Sequence, residues 1–255
     1  MNEFRLIIDP PMNAAVNMAR DRAILEMQSM KNPVPTLRIY SWSSPSVTIG
    51  YSQKLAETVN AEYCRKNGIS VTRRVTGGGT VLHHRELTYS FTLPIKKRIV
   101  PESVEDSFRC IIFPIIGTLK TFSLNAEYRP VNDIIINGRK ISGSAQVRKK
   151  GVLQQHGTLL LNIDRELICN SLKGDMEKLK SRGFNNTSDA VTSISGELNR
   201  KVDDEFTDEL IVRLINSFSR AMKIDFLLAN LSEPESALME SYISKFNDDK
   251  WNLAK

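Results

Sequence analysis

Asp133 to Gln146 reads DIIINGRKISGSAQ, and the Asn137-Gly138 pair at its centre constrains the local fold more tightly than any other dipeptide in the chain. A two-residue connection between extended strands needs positive φ at both central residues, which Asn and Gly adopt at least cost. The segment therefore predicts a β-hairpin. Lys140 rides on its second arm, and the small residues Ser142, Gly143, Ser144 and Ala145 leave space beside the lysine amine. A positioned ammonium next to open space suits an α-phosphate and the charge that develops there.

The remaining patterns alternate between the two periods. Apolar residues recur with helical spacing from Met12 to Met30, while Thr36 to Trp42 (TLRIYSW) alternates as a strand. Pro45 breaks that strand, and Val47 to Tyr51 resumes one, so the two read as a pair. Asn60 to Asn67 is a short helix. Gly68 to Val75 and Leu87 to Leu93 are strands on either side of a glycine loop. Ser103 with Asp106 starts a helix running to about Phe122 with a kink at Pro114. A second extended pair runs through Val152 and Leu159 to Leu161, Asp164 caps a helix to Leu172, and the C-terminal third is largely helical. With no repeat or long linker, residues 1–255 read as a single mixed α/β domain.

The glycine loop lies in RRVTGGGTVLHHRELTYSF, from Arg73 to Phe91. Gly77, Gly78 and Gly79 either make a bare turn or bring their N–H groups against a ligand, and Arg73 and Arg74 before them suit phosphate or carboxylate. The loop lacks the GK[ST] of a P-loop and the GxGxxG of a dinucleotide fold. His83 and His84 are adjacent on an extended segment, so they point to opposite faces and do not share a metal. One reads as a core or loop histidine, and the other as a partner for a ligand or for Glu86. Arg148, Lys149 and Lys150 read as a solvated face. His156, in QQHGTLLLN, reads in isolation as a structural histidine.

A net charge of +6 favours anionic partners of any kind. The three cysteines, Cys64, Cys110 and Cys169, have neither metal-ligand nor disulfide-framework spacing. The start of the sequence shows no leader pattern, and the longest apolar run, Cys110 to Leu119, is shorter than the ~20 residues that span a bilayer. A cytoplasmic protein with no membrane partner is the expectation. Lys96, Lys97 and Arg98 raise a nucleic-acid binder as another class, but aromatic residues, at 7%, do not interleave with the basic clusters.

Taken in order, NMARDRAIL, LRIYSWSSPSVTIGYSQ, RRVTGGGTVLHHRELTYSF, NDIIINGRKISGSAQ, QQHGTLLLNID and KFNDDKWN resemble the lipoate-protein ligase family, within the group that also holds biotin ligases and octanoyltransferases. The resemblance implies a largely antiparallel sheet flanked by helices. It implies ATP-dependent activation of lipoate to lipoyl-AMP, with Mg²⁺ shielding the phosphates, and then transfer to a lysine of an acceptor. That acceptor would be a lipoyl-domain protein, such as a 2-oxo acid dehydrogenase subunit or the glycine-cleavage H protein. The resemblance assigns the loop from Gly77 through Gly79, with Arg74, Thr80, Val81, Leu82 and His83, to the nucleotide side, and Lys140 to both phosphate and acyl carbonyl. His156 would line the site, and Trp42 and Gly50 would lie in the strands that wall the acyl chain. The alternative is a cysteine-dependent octanoyl or lipoyl transferase, yet neither Asn125 to Arg129 nor Lys173-Gly174 carries a cysteine, and Cys169, about a turn before the latter on a predicted helix, reads as a packing residue. Many ligases also have an accessory domain beyond the equivalent of Trp251; the resemblance leaves three readings, that a separate chain supplies it, that the protein only transfers a preformed lipoyl-AMP, or that it acts without that domain.

Overall fold

The structure is a computed structural model and describes residues 2–30 and 33–253. Strand β1 (Asn2–Ile8) and strand β2 (Thr36–Tyr40) are parallel neighbours, so the chain must cross over between them, and helix α1 (Ala14–Met27) makes the crossing. Asn13 starts α1 by accepting the Val16 N–H on its side chain. Every residue of β2 is buried. Leu37 and Ile39 face the main core, while Arg38 and Tyr40 face α1.

Ser41 to Pro45 then carries the chain into a separate small sheet. β3 (Ser46–Ile49) sits at its centre, flanked by β4 (Ser70–Arg73) and β5 (Val81–His83), with α2 (Leu55–Thr58) and α3 (Ala61–Lys66) between β3 and β4. The expected pairing of the Thr36 and Val47 segments is therefore corrected. Alternation shows that a strand has two different faces and says nothing of its neighbour, and both strands find partners elsewhere.

β6 (Glu86–Pro94), wholly buried, joins β2 to the rest of the large sheet. α4 (Val104–Lys120) runs through Pro114 without interruption and ends two residues before Phe122. There follow β7 (Glu127–Arg129), β8 (Asp133–Ile136), β9 (Arg139–Lys149) and β10 (Val152–Leu160). Next come α5 (Arg165–Ser171), α6 (Met176–Ser181), α7 (Ile194–Leu198) and α8 (Asp204–Met222), then β11 (Ile224–Leu228), α9 (Glu233–Asn247) and α10 (Asp249–Asn252). The eight-stranded order is β11-β1-β2-β6-β10-β9-β8-β7, antiparallel except where β1 pairs in parallel with β11 and β2. Neither β1 nor β11 is evident from the sequence patterns.

The two sheet faces differ in chemistry. One carries the main core, where Phe91, Ile111, Ile115, Leu210, Leu214 and Phe218 bring α4 and α8 against the sheet. The other meets α1, which packs on α9 through Ala15, Met18, Ala19, Met239 and Phe246. Between α1 and the sheet lies a buried polar layer rather than oil. No helix of the described residues is long and apolar enough to cross a membrane.

Candidate active site

The chain leaves β4 at Arg73 and enters β5 at Val81 through the glycine loop. Gly78 has φ of +88°, and a Cβ on Gly50 would lie 2.0 Å from the Gly78 carbonyl oxygen, so the loop rests directly on bare backbone. Arg74 staples it from below. Its Nη2 donates to the carbonyls of Gly77 (2.6 Å) and Gly79 (2.7 Å), Nη1 to the Thr48 carbonyl and hydroxyl (3.2 and 3.3 Å), and Nε to Thr76 Oγ1 (3.0 Å). No carboxylate is among these partners. Burial lowers the guanidinium pKa to about 10, which leaves it charged at neutral pH. A buried, unopposed positive charge thus sits under the loop and favours an anion above it.

Arg73 corrects the sequence reading. It is 1% exposed, and its guanidinium donates to the carbonyls of Gly50, Tyr51, Gln53, Trp251 and Asn252. It ties the C-terminal segment to the turn after β3 and does not face the ligand side. Arg148 is also corrected, because it is half-buried and bonds Ser107 and the Ser103 carbonyl at the start of α4 rather than lying on a solvated face.

Behind the loop, Thr76 Oγ1 lies 2.7 Å from His156 Nε2, and His156 Nδ1 lies 3.1 Å from Asp21 Oδ2. Burial lowers the His156 pKa and prevails over the attraction of Asp21, so the imidazole is neutral at pH 7. One assignment then satisfies every atom: Nδ1–H donates to Asp21, Nε2 accepts from the Thr76 hydroxyl, and Thr76 accepts from Arg74. Asp21 also accepts from Arg38 Nη1 (2.8 Å) and the Tyr40 hydroxyl (3.0 Å). Arg38 in turn donates to Asp9 and to Asn17. Burial raises the Asp21 pKa, but Arg38 and His156 outweigh it and hold the carboxyl below its ordinary value.

Lys140 reaches the site from the predicted hairpin. Asn137 and Gly138 have φ of 51° and 76°, the two positive values that a type I′ turn requires. The Lys140 backbone is pinned at both ends, its N–H to the Ala190 carbonyl (2.9 Å) and its carbonyl to the Thr192 N–H (2.8 Å). Its Nζ sits 2.7 Å from Asp133 Oδ1 and over Gly143, where a Cβ would come within 2.2 Å of the nitrogen. Asp133 also accepts from Arg129 (3.0 Å). Burial pushes the Asp133 carboxyl up, yet Lys140 and Arg129 together hold it below its usual range.

These parts meet in one cleft, partly open to solvent. Arg74, Gly78, Gly79, Thr80, Val81, His83, Lys140 and His156 all line it. Gly77 does not line it, and Leu82 points the opposite way, into a small core with Val47, Ile49 and Cys64, because neighbours on a strand alternate faces. Trp42 lines the cleft, stacked on His83 at 3.8 Å between ring centroids, with its indole N–H on Thr88 (2.9 Å). His83 bonds Glu86 through Nδ1 and Thr48 through Nε2. Gly50 supports the loop from outside the cleft. His84 is not in the cleft, and burial lowers its pKa. Ser144, one of the small residues beside Lys140, lines the cleft, as do Met18, Tyr40, Asn132 and Thr158, which do not stand out in the sequence. Helical spacing marks Met18 only as apolar, and nothing local distinguishes the others.

None of the cysteines lines the cleft. Cys64 is buried behind the small sheet and Cys110 packs from α4 against the main core, with both thiol pKa values raised by burial. Cys169 is not the packing residue its place on a helix suggests: it is exposed on α5 beside Asn186. Among the described residues no three His, Cys, Asp or Glu side chains converge to hold a metal ion. The described protein groups do not by themselves form a Mg²⁺ cage.

The model of the lipoyl protein ligase A/B catalytic domain matches residues 13–219. The octanoyltransferase LipM of Clostridioides difficile is 31% identical, covering 99% of each chain, and that of Brevibacillus brevis is 29% identical, covering 100% of each. Among solved structures, a bi-partite lipoate protein ligase system from Thermoplasma acidophilum, studied with its E2 lipoyl domain, matches at a TM-score of 0.83 and 29% identity, covering 99% of this chain and 97% of that one. A lipoate-protein ligase A bound with ATP matches at 0.82 and 28%, covering 98% of each chain. The fold is thus the mixed, mostly antiparallel one of the lipoate ligases, and the chain belongs to the lipoyl protein ligase A/B catalytic domain family, whose members are lipoate ligases and octanoyltransferases.

Proposed function

We propose that this chain transfers an eight-carbon acyl group, octanoyl or lipoyl, to the ε-amine of a lysine on a lipoyl domain. The observation that carries the reading is one cleft combining the Lys140 ammonium, a glycine loop over a buried positive charge, and no thiol. Without a thiol at the cleft, the acyl group goes directly from donor to acceptor and no acyl-cysteine forms. The neutral acceptor amine attacks the acyl carbonyl carbon, the new amide C–N bond forms, the bond to the leaving group breaks with its electron pair, and the proton that the amine loses passes to the departing group or to solvent. Lys140 and the loop N–H groups stabilise the oxygens on which charge develops. Trp42, Met18 and Tyr40 supply the apolar wall for the acyl tail.

The curated relatives, named octanoyltransferases at about 30% identity over their full length, favour octanoyl as the acyl group and an activated acyl donor in place of ATP. The cleft and the ATP-bound neighbour favour the other route, an acyl-adenylate, because phosphate is what the loop, Arg74 and Lys140 suit best. The bi-partite neighbour supports a second chain as a requirement for that route.

One experiment separates the two. The purified chain is mixed with an acceptor lipoyl domain and either an octanoyl carrier-protein thioester or ATP with octanoate or lipoate, with and without a candidate second chain, and the acceptor mass is measured. Acylation from the thioester alone assigns an octanoyltransferase, and ATP-dependent acylation assigns a ligase. An unmodified acceptor in every arm overturns the acyl-transfer reading.

A further inference from the structure

Arg74 has the charge to hold an anionic donor, but its five N–H groups are all engaged within the protein. What the guanidinium does depends on where it is held. Four of its contacts are to the glycine loop and β3, the elements it is meant to organise. The fifth, from Nε to Thr76, is the link to a separate, rigid part of the molecule. Thr76 is 0% exposed, and its hydroxyl has both its roles filled, accepting from Arg74 and donating to His156. His156 passes the connection to Asp21 on α1, whose carboxylate is fixed by Arg38 and Tyr40 of β2. The loop is thereby anchored to the α1–β2 layer by one continuous series of directional hydrogen bonds.

We infer that Thr76 is a positioning residue for acyl-donor binding, joining the Arg74 staple of the glycine loop to the Asp21–His156 anchor. The inference rests on the proposed reading, in that the loop holds the donor's anionic group. It adds that loop geometry in the ligand-free protein is set from α1, through a side chain that does not line the cleft. Removing only the hydroxyl breaks the series at its single joint and leaves volume and packing intact, which makes Thr76→Val the informative change.

The test compares Thr76→Val, Thr76→Ser and the parent chain. Backbone amide hydrogen exchange of Tyr51, whose N–H donates to the Thr76 carbonyl, and of Arg74, whose N–H donates to the Ile49 carbonyl, measured without substrate, is expected to rise on the order of tenfold in Thr76→Val and to return to the parent rate in Thr76→Ser. In steady-state acyl transfer, the KM for the donor is expected to rise about tenfold in Thr76→Val with the KM for the acceptor unchanged, and serine restores it. Unchanged exchange at these two amides in the valine variant overturns the inference, as does a serine variant as impaired as valine, or an equal rise in both KM values accompanied by general loss of exchange protection. If the parent chain transfers no acyl group, the proposed function fails, and the exchange comparison still decides whether Thr76 anchors the loop.

Discussion

At the scale of single residues, Lys140 and Gly143 form a pair whose effects on fold and chemistry separate cleanly. The Lys140 side chain is 34% exposed, and Asp133 keeps Arg129 as a partner when the lysine is removed. Lys140→Ala is expected to lower acyl transfer by at least about a hundredfold while thermal unfolding shifts by no more than a few degrees, a pattern that activity assays and a melting curve read together. Gly143→Ala tests the same nitrogen from below. The added Cβ meets the flexible end of Lys140 rather than backbone, so the fold tolerates it while the ammonium leaves Asp133. Activity is expected to fall about tenfold or more at nearly unchanged stability, and a variant of parental activity would show that the position of the ammonium is not important. Gly50→Ala contrasts with both, since its Cβ meets the Gly78 carbonyl itself, and a loss of stability is expected there.

Among the secondary-structure elements, the polar layer between α1 and the sheet makes stability depend on pH. His156 titrates below its ordinary value in the folded protein, so below about pH 6.5 the unfolded chain takes up protons that the folded one does not, and stability falls as pH falls. Asp21, whose folded pKa is also depressed, adds stability that is present above about pH 4 and lost as pH falls through its folded value. Denaturant midpoints measured from pH 8 to pH 5 should therefore decline, and the decline should be flatter in His156→Gln. The elements also show where the sequence was legible. The Asn137-Gly138 hairpin could be read because two adjacent residues dictate its turn, α1 because its apolar residues recur at helical spacing, and α4 and α5 because Ser103 and Asp164 cap them locally. The partners of β2 and β3 could not be read, because strand pairing is chosen by burial on both faces across long sequence separations. The parallel β1–β11 pair joins residues from the two ends of the described chain, beyond the reach of any local pattern. The same divide runs through the site. Lys140 and the glycine loop announced themselves by local chemistry, whereas the engagement of Arg73 with Trp251 and Asn252 is purely tertiary.

Across the whole molecule, the net charge of +6 bears on encounter with the acceptor more than on chemistry. If acidic acceptor surfaces dock on it, kcat/KM for the acceptor should fall as ionic strength rises while kcat changes little, and stopped or steady-state kinetics at two salt concentrations would show it. The proposed acyl transfer at the Lys140 cleft uses no enzyme thiol. Intact-mass analysis of both enzyme and acceptor during turnover, with the parent chain and with Cys64, Cys110 and Cys169 all changed to serine, reads this out. The expected result is an acceptor that gains one acyl group in both cases and an enzyme whose mass never changes. An acyl group bound to the enzyme through a thioester, or a folded cysteine-free variant that no longer modifies its acceptor, would contradict it.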